Sequence, residues 1–265
     1  MADARDLARA LDFSGRVAIV TGGTKGVGRG IATTFLRAGA DVVVCGRSKP
    51  DDLPSVDDRR AVFVAADVRE PEQVEGLVST TTARFGRLDV LVNNAGGAPW
   101  AEAATASPRF HEKIIRLNLL APLLCSQIAN QVMQAQDEGG SIVNIGSVSG
   151  VRPSPGAAAY GAAKAGLHNL TQTLAVEWAP KVRVNCVVGG LIRTEMAHLH
   201  YGDEAGIARV AETVPLGRLG MPSDMGEACL YLASPLASYV SGTLLTLHGG
   251  GERPSYLDAA TAGDG

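Results

Sequence analysis

The sequence predicts an α/β fold in which one doubly wound sheet of about seven parallel strands carries helices on both faces. Three observations support this prediction. Seven short runs are rich in valine and isoleucine. The runs lack polar alternation, which is typical of strands that are covered on both faces. The stretches between them are long enough for right-handed crossover helices.

The seven runs follow one another along most of the chain. They are RVAIVTGG at 16–23, DVVVCG at 41–46, AVFVAAD at 61–67, DVLVNNAG at 89–96, SIVNIGS at 141–147, VRVNCVV at 182–188 and TLLTLHGG at 243–250. A helix containing RGIATTFLRAGA follows the first run, and long helices are predicted within 108–136 and 157–179. A single domain over residues 1–265 accounts for all of them.

Three segments interrupt this alternation. Residues 47–60 hold prolines and acidic pairs, which predict a solvated turn with little helix. Residues 191–219 form a long connection, and we expect a mobile lid over a site there. The tail at 252–265 ends in small and polar residues, and we expect it to be loose at its very end.

The composition argues against several classes of protein. Apolar residues make up 46% and charged residues 19%, and the net charge of −3 gives no positive surplus for gripping nucleic acid. The amino end, MADARDLARALDFSG, has no apolar core of the kind a signal peptide needs. Polar residues break the most apolar stretch, IIRLNLLAPLLC, so no membrane span is predicted. We therefore expect a cytoplasmic protein that binds neither nucleic acid nor membrane.

The cysteines and histidines do not predict a metal site. The four cysteines lie far apart among apolar residues, without paired ligand spacing, and we expect reduced core thiols at Cys45, Cys125, Cys186 and Cys229. His198 and His200 lie near acidic residues of the predicted lid but lack a fixed ligand spacing. We expect these histidines to line the mouth of a substrate site, where Trp100 is either a further lining residue or a packing plug.

A glycine-rich loop follows the first predicted strand and precedes a helix. Such a loop brings backbone N–H groups and a helix amino terminus against a pyrophosphate, although a plain strand-to-helix turn has the same composition. Its context in the first crossover unit favours a bound dinucleotide, and hence a Rossmann-type sheet. The cofactor-binding residues predicted here are Gly22, Thr24, Lys25, Gly26, Val27 and Gly28.

The corner after the second strand carries no carboxylate. In dinucleotide folds an acid at this corner binds the free ribose hydroxyls, whereas an arginine can clamp a 2′-phosphate. Arg47 and Ser48 occupy the corner, Gly46 makes room, and Lys25 adds positive charge. We therefore expect NADP(H) to be preferred and NAD(H) to be possible, although an arginine at a strand end is often only solvated.

Two further strand ends offer cofactor contacts. Asp67 ends the third strand, where its carboxylate can accept a hydrogen bond from an adenine amino group while Val68 backs the ring. Asp67 is equally suited to cap the helix that follows. The fourth strand ends in NNAG at 93–96, and small residues there allow close approach of a ligand, which predicts contacts from Asn94, Ala95 and Gly96.

Tyr160 and Lys164 lie four residues apart on a helix rich in alanine. A phenol with a pKa of about 10 is a poor base at neutral pH. A nearby ammonium favours the phenolate, and the charge of an oxidised nicotinamide adds to this effect, so Tyr160 becomes a candidate proton shuttle. Ser147 ends the fifth strand, where its hydroxyl can donate to a substrate oxygen, although it can also cap a turn.

With these motifs the sequence resembles the short-chain dehydrogenase/reductase family over residues 13–251. The resemblance rests on TGGTKGVG at 21–28, NNAG at 93–96, Asn118 in RLNLLAP, Ser147 and YGAAK at 160–164, in the family's order. It implies that the catalytic residues are Asn118, Ser147, Tyr160 and Lys164. In that set Tyr160 is the acid or base, Ser147 steadies the substrate oxygen, and Lys164 holds the nicotinamide ribose and lowers the tyrosine pKa.

The resemblance also implies further roles. Asn118 would hold a water that links Lys164 to solvent, although it can also satisfy a helix kink near Pro122. The cofactor carboxamide would be gripped after the sixth strand, by residues that include Gly190, Ile192 and Thr194. Two departures from the family pattern are Gly189-Gly190 in place of a Pro-Gly pair and His248 in place of an aspartate. A homotetramer or homodimer is implied as well.

These residues together predict an NADP(H)-dependent oxidoreductase that interconverts a ketone and a secondary alcohol. One alternative is a reductase of 3-oxoacyl thioesters on an acidic carrier protein, for which Arg193, Arg209 and Arg218 would provide a basic entrance. Another is a nicotinamide-sensing protein without catalysis, against which the intact Ser147, Tyr160 and Lys164 argue.

Overall fold

The computed structural model describes residues 9–252 and 254–255, and its main sheet contains seven parallel strands in the order β5-β2-β1-β6-β7-β8-β9. A short antiparallel hairpin, β3–β4, forms a second sheet. The strands are β1 (Val17–Thr21), β2 (Asp41–Gly46), β3 (Ser55–Val56), β4 (Arg59–Arg60), β5 (Val62–Ala65), β6 (Val90–Asn93), β7 (Gly140–Ser147), β8 (Val182–Gly189) and β9 (Leu244–Leu247). The fold-class prediction is confirmed, with most strands a few residues shorter than their apolar runs.

Eight α-helices are described in the same part of the chain. They are α1 (Gly26–Arg37), α2 (Pro71–Phe85), α3 (Pro108–Ile115), α4 (Ala121–Ala135), α5 (Ala158–Glu177), α6 (His198–Tyr201), α7 (Glu204–Glu212) and α8 (Pro222–Ala233). Strand order reverses between β1 and β6, because β2 and β5 lie on one side of β1 and the later strands on the other. Ligands of doubly wound sheets bind at the carboxyl ends of the strands near such a reversal.

Each face of the sheet has its own apolar core. On one face α1 and α8 pack over the strands, with Ile31, Phe35 and Met225 fully buried. On the other face the core takes residues from α2, α4 and α5, among them Leu77 and Met133. The strands are buried on both sides by this arrangement, which explains why their sequences show no polar alternation.

Three segments differ in detail from the predictions. Residues 47–60 contain no helix but do form the β3–β4 hairpin. The helix predicted within 108–136 is interrupted by a π-helical turn over Arg116–Leu120, directly before Pro122 in the first turn of α4. The 191–219 segment contains two helices, α6 and α7, around a small apolar cluster of its own.

The four cysteines are buried and free, as predicted. The predicted loose end of the tail lies almost wholly outside the described residues, as does most of the amino-terminal stretch. Within the described residues, none of the helices has the length and apolar character needed to cross a membrane.

Candidate active site

The carboxyl ends of β1, β6, β7 and β8 meet at one edge of the sheet. Thr21 ends β1, Asn93 ends β6 and Ser147 ends β7, while Ser147 pairs in register with Gly189 of β8. All the predicted site residues lie on the loops and helices that leave this edge or face it. The topology therefore brings together segments that are far apart in the sequence.

The loop after β1 adopts the tight conformation that its glycines predict. Gly22 and Gly26 have positive φ angles of 62° and 54°, a region that side chains with a Cβ rarely adopt. A Cβ on Gly28 would lie 2.3 Å from the carbonyl oxygen of Gly22 and 2.4 Å from the side-chain nitrogen of Asn94. These glycines allow α1 to begin directly against the sheet edge.

Hydrogen bonds join this loop to the NNAG segment. The Asn94 side chain donates to the carbonyl oxygen of Thr21 over 2.9 Å. The Thr21 hydroxyl accepts hydrogen bonds of 3.0 Å from the backbone N–H groups of Asn94 and Ala95. Asn94 and Ala95, which were predicted to contact the cofactor, therefore hold the glycine loop in place. Thr21, which was not among the predicted site residues, takes part in the same hydrogen bonds.

The amino terminus of α1 already holds a carboxylate. The backbone N–H of Gly26 donates a 2.8 Å hydrogen bond to Oε1 of Glu195, a residue of the 191–219 segment. The positive end of a helix favours an anion at this position. The glycine cradle and this stand-in carboxylate are features that fit the pyrophosphate of a dinucleotide.

The corner after β2 is exposed and basic. Arg47 and Ser48 are exposed, as is Lys25, the residue before α1. A Cβ on Gly46 would meet the Thr24 hydroxyl at 3.8 Å, so the glycine loop and the corner are neighbours. None of the ion pairs found among the described residues uses Arg47 or Lys25. Both charges therefore remain available to a ligand.

Asp67 has a partner that the sequence did not indicate. Its Oδ1 accepts a 2.9 Å hydrogen bond from Nε of Arg69, and Oδ2 pairs with Nη2 at 2.5 Å. The hydrogen bond from Arg69 lowers the pKa of Asp67 to about 2. The alternative that Asp67 caps α2 is wrong, because the capping position belongs to Glu70, without a side-chain cap. Val68 is buried in the core beside the strand.

Tyr160, Lys164 and Ser147 form one cluster. Lys164 is buried on α5, and its Nζ donates a 2.7 Å hydrogen bond to the carbonyl oxygen of Ile145. The same Nζ lies 5.6 Å from the centre of the Tyr160 ring. Ser147 also accepts a 3.2 Å hydrogen bond from the backbone N–H of Ser149, so the predicted turn-capping role is present beside the candidate catalytic one.

The electrostatics of this cluster differ from the sequence expectation. Burial raises the pKa of Tyr160, and a hydrogen bond with Ser147 opposes that rise. Burial lowers the pKa of Lys164 to about 8. In the chain without a cofactor, the effect of burial on the pKa of Tyr160 is therefore larger than any effect of the Lys164 ammonium. The expectation that Lys164 lowers the tyrosine pKa is not met by the side chains alone.

Asn118 lies in the π-helical turn and is fully buried. Its Oδ1 accepts a 2.8 Å hydrogen bond from the backbone N–H of Gly97, and its Nδ2 donates to the carbonyl oxygens of Ile114 and Gly97. The side chain thus satisfies the helix break, as the alternative from the sequence proposed. A Cβ on Gly96 would lie 2.7 Å from Oδ1 of Asn118 and 3.5 Å from Nζ of Lys164, so Asn118 also borders the cluster.

The 191–219 segment packs against the glycine loop at the carboxyl edge of the sheet. Ile192 forms a parallel bridge with Gly220, and the Thr194 methyl lies 3.6 Å from the position that a Gly26 Cβ would take. A Cβ on Gly190 would meet His248 at 2.6 Å, so His248 packs against the second glycine of the Gly189-Gly190 pair. His198 is held at 3.0 Å from the carbonyl oxygen of Glu195.

His168 is a buried residue of this region that sequence reasoning missed. It lies one turn beyond Lys164 on α5, where a Cβ on Gly146 would be 2.5 Å from its Nε2 and one on Gly150 2.7 Å from its Cε1. The imidazole therefore packs beneath the segment that carries Ser147. Its spacing was a usable signal, because Tyr160, Lys164 and His168 repeat every four residues along the helix.

A doubly wound parallel sheet with a glycine cradle, and with a phenol, an ammonium and a hydroxyl at its carboxyl edge, defines the class of nicotinamide-dependent oxidoreductases. The family model described as enoyl-(acyl carrier protein) reductase matches residues 22–252. The chain belongs to the short-chain dehydrogenase/reductase family. It is an oxidoreductase that acts on CH–OH groups with a nicotinamide dinucleotide as acceptor.

Named relatives differ in the substrates their names imply. The chain is 35% identical over 242 residues to a 3α-hydroxysteroid dehydrogenase of Mediterraneibacter gnavus, covering 88% of this chain and 96% of the relative. It is 36% identical over 244 residues to a 3-oxoacyl-[acyl-carrier-protein] reductase of Chlamydia muridarum, covering 89% and 96%. The ligand-free aldohexose dehydrogenase of Thermoplasma acidophilum aligns with a TM-score of 0.84 at 31% identity, covering 90% and 94%.

Proposed function

We propose that this chain is an NADP(H)-dependent oxidoreductase that interconverts a ketone and a secondary alcohol, with Tyr160 as the proton donor or acceptor. The observation that carries the proposal is the cluster of Tyr160 and Ser147 with the buried Lys164 at the sheet edge beside the glycine cradle. Such a cluster offers a substrate oxygen one exchangeable proton and one hydrogen-bond donor.

Tyr160 acts on the substrate oxygen. In the reducing direction the carbonyl carbon gains a hydride and the oxygen gains the Tyr160 proton, so a ketone becomes a secondary alcohol. The nicotinamide, when bound, supplies or takes that hydride. Because burial raises the pKa of Tyr160, the phenol is protonated at neutral pH and ready to donate. Ser147 donates a hydrogen bond to the same oxygen as negative charge develops on it.

Lys164 and Asn118 return the proton to Tyr160. Lys164, with its pKa lowered to about 8, can both hold and release a proton near neutral pH. The Asn118 side chain already forms hydrogen bonds with Gly97 and Ile114. A water that links Lys164 to solvent would therefore bind an atom of Asn118 outside the side-chain amide. Lys164 would also hold the nicotinamide ribose, and Ile192 and Thr194 the carboxamide.

Arg47 and Lys25 support the preference for NADP(H). Both are exposed, free of ion pairs among the described residues, and next to the corner where an adenosine ribose binds in such folds. A 2′-phosphate would find two positive charges there and no carboxylate at the corner. Asp67, although paired with Arg69, keeps its position at the end of β5, where an adenine ring would lie.

A reductase of 3-oxoacyl thioesters is the second candidate, favoured by the relative from Chlamydia muridarum. It would need a basic entrance for an acidic carrier protein. Two of the three arginines expected there are neutralised, because Arg193 pairs with Glu204 at 2.7 Å and Arg218 with Asp224 at 2.6 Å. The positive charge available to an acidic carrier protein is therefore smaller than the sequence suggested. A small-molecule substrate is the better supported interpretation.

A homo-oligomer in the cytoplasm completes the proposal. Several apolar side chains are exposed on α5 and near the end of α8, including Val176 at 81% and Tyr239 at 103% exposure. Residues of α2, α4 and α5 also line a surface groove whose floor includes Leu123, Ile128 and Leu170 among polar side chains. Exposed apolar patches of this kind mark contacts between chains. Light scattering on the purified protein distinguishes a dimer or tetramer from a monomer.

One experiment tests the proposed activity. Purified protein is incubated with NADPH or NADH and a panel of ketones, and with NADP or NAD and the matching alcohols, while absorbance at the nicotinamide band is followed. Turnover with NADPH that exceeds turnover with NADH supports the proposal. Tighter NAD binding reverses the cofactor preference. Binding of NADPH without turnover on any member of the panel favours the non-catalytic, nicotinamide-sensing alternative.

A further inference from the structure

A chain of polar contacts leads from Ser147 away from the reacting centre. Ser147 accepts from the backbone of Ser149, and the Ser149 hydroxyl accepts a 3.0 Å hydrogen bond from the hydroxyl of Ser154. Nη1 of Arg152 donates to the Ser154 hydroxyl over 3.2 Å. Nη2 of Arg152 pairs with Oε1 of Glu252, a residue after β9. The path joins the β7–α5 loop to the carboxyl-terminal segment.

The 191–219 segment meets the same ion pair. Tyr201 ends α6, and its pKa is raised first by burial and then by the charge of Glu252, while Arg152 lowers it. The β7–α5 loop and the segment after β9 thus meet at Arg152 and Glu252.

The ion pair is open to a ligand and incompletely satisfied. The side chains of Arg152 and Glu252 are 37% and 32% exposed, so neither is sealed in the core. Nε of Arg152 is buried without a hydrogen-bond acceptor among the described residues. A substrate that extends from Ser147 to this pair would cover its exposed charges.

The chemistry of the pair selects among substrate classes. A guanidinium only donates hydrogen bonds and a carboxylate only accepts them, whereas a hydroxyl does both. An apolar steroid face or acyl chain would cover two charges and give no hydrogen bonds in return, which is costly. A carboxylate-bearing substrate would gain Arg152 but be repelled by Glu252. Adjacent hydroxyl groups satisfy both partners at once.

The exposed indole of Trp100 adds an apolar surface at the same rim. It lies against the β7–α5 loop, since a Cβ on Gly156 would be 2.0 Å from its Nε1, and it is 69% exposed. The backbone N–H of Ala101 donates to the carbonyl oxygen of Gly156 over 2.9 Å and fixes this contact. A ring with an apolar C–H face and polar edges can use the indole and the ion pair together.

We propose that Arg152 and Glu252 form a substrate-recognition subsite that selects polyhydroxylated ring substrates, with one hydroxyl group accepting from the exposed edge of the guanidinium and the adjacent hydroxyl group donating to the carboxylate. The inference rests on the proposed function for the identity of the reacting end, but it concerns the far end of the substrate. Arg152 and Glu252 determine specificity and take no part in the transfer of hydride or proton.

The test uses a matched series of ring alcohols: cyclohexanol, cis-1,2-cyclohexanediol and myo-inositol, with a 3α-hydroxysteroid and a 3-hydroxyacyl thioester as competitors. We expect kcat/KM with NADP to rise at least about tenfold from cyclohexanol to the diol or to inositol, because a site built to bind a hydroxyl rejects the analogue that lacks it. Glu252→Gln and Arg152→Lys should reduce that preference at least about tenfold, mainly through a higher KM for the diol and for inositol.

Arg193→Met is the control, because it breaks the Arg193–Glu204 ion pair in the 191–219 segment and leaves the proposed subsite intact. Thermal unfolding of each variant shows whether it is folded. A tenfold preference for the steroid or the thioester, or an unchanged selectivity in Glu252→Gln, overturns the subsite but leaves the proposed activity standing.

Binding of myo-inositol to the NADP-loaded protein is measured separately by saturation-transfer NMR. Binding that is lost in Glu252→Gln supports the subsite even if no alcohol is turned over, in which case only the proposed activity fails. Absence of binding in the wild-type protein, together with absence of polyol turnover, overturns the subsite.

Discussion

The carboxylate of Glu195 accepts a 2.8 Å hydrogen bond from the backbone N–H of Gly26, at the amino terminus of α1. The two residues are 169 positions apart in the sequence. The contact ties the 191–219 segment to the glycine loop and places a negative charge where a cofactor phosphate would bind. A dinucleotide must therefore compete with Glu195 for this N–H group.

Glu195→Gln should tighten NADP binding. The change removes a negative charge that would repel the pyrophosphate, and a pair of like charges near a protein surface is worth enough to expect a roughly 3- to 10-fold lower Kd. Fluorescence titration with NADPH at low and high salt measures it, and the gain should shrink at high salt. Glu212→Gln, with the same charge change at the end of α7, is the control. An equal gain in both variants would refute the specific contact.

Gly96→Ala should impair turnover more than stability. The new Cβ would lie 2.7 Å from Oδ1 of Asn118 and 3.5 Å from Nζ of Lys164, so one of these groups must move. Displacement by a fraction of an ångström at a reacting centre typically costs on the order of tenfold to a hundredfold in kcat/KM. Gly76→Ala on α2 is the control, because its Cβ would meet open space. Steady-state kinetics that match the wild type in Gly96→Ala would contradict the placement of Asn118 and Lys164.

The fold was predictable because each strand of the main sheet coincides with a short run of apolar residues in the sequence. Each apolar run became a strand, and the glycines after β1 marked both the cradle and the start of α1. The boundaries were less predictable: α1 begins at Gly26 and ends at Arg37, whereas the apolar pattern suggested a helix shifted toward Ala40. The helix begins at Gly26, which has a positive φ of 54° and belongs to the glycine loop itself.

The sequence indicated which residues follow the carboxyl ends of the strands, but it did not indicate the partners of their side chains. The pairing of Asp67 with Arg69 depends on how the chain turns after β5, and a carboxylate two residues from an arginine does not reveal it. Arg152 and Glu252 are 100 positions apart and meet only because the β7–α5 loop and the segment after β9 leave the same sheet edge. Contacts of this kind require the folded loops.

Arg47→Asp should shift the cofactor preference from NADP toward NAD. The carboxylate would repel a 2′-phosphate and could accept hydrogen bonds from free ribose hydroxyls. We expect Kd for NADP to rise by about 10- to 100-fold, with a smaller change for NAD. Titration of both cofactors measures the ratio. Arg60→Asp, on the exposed hairpin strand β4, is the matched control. A variant that loses affinity for both cofactors equally would count against a phosphate role for Arg47.

Tyr160→Phe should abolish most of the turnover and leave the fold and cofactor binding in place. The substitution removes only the phenolic oxygen from a partly buried side chain. Loss of a general acid usually costs on the order of 100- to 10,000-fold in kcat. Kinetics on a ketone that the wild type reduces, together with NADPH titration and thermal unfolding, separate these effects. Undiminished turnover would show that another group supplies the proton.

Lys164→Met should make the protein more stable at neutral pH while it abolishes activity. Burial lowers the pKa of Lys164 to about 8, whereas an ordinary lysine has 10.5. At pH 7 the amine is charged in both the folded and the unfolded chain, so the cost of burying that charge is fully present. The apolar side chain removes this cost, and each 1 kcal/mol gained raises Tm by roughly 2–4 °C in a chain of this size.

The pH dependence of that gain distinguishes a buried charge from a packing effect. Between pH 8 and 10.5 the unfolded wild type binds a proton that the folded wild type has released, so its stability rises with pH. The advantage of Lys164→Met should therefore shrink steadily over this range. Lys181→Met is the control, because the exposed Nζ of Lys181 also donates to backbone carbonyls, those of Gln134 and Gln136, without being buried. We expect no gain in that variant. A Tm difference for Lys164→Met that stays constant from pH 7 to pH 10.5 would mean that burial of the ammonium is not its cause.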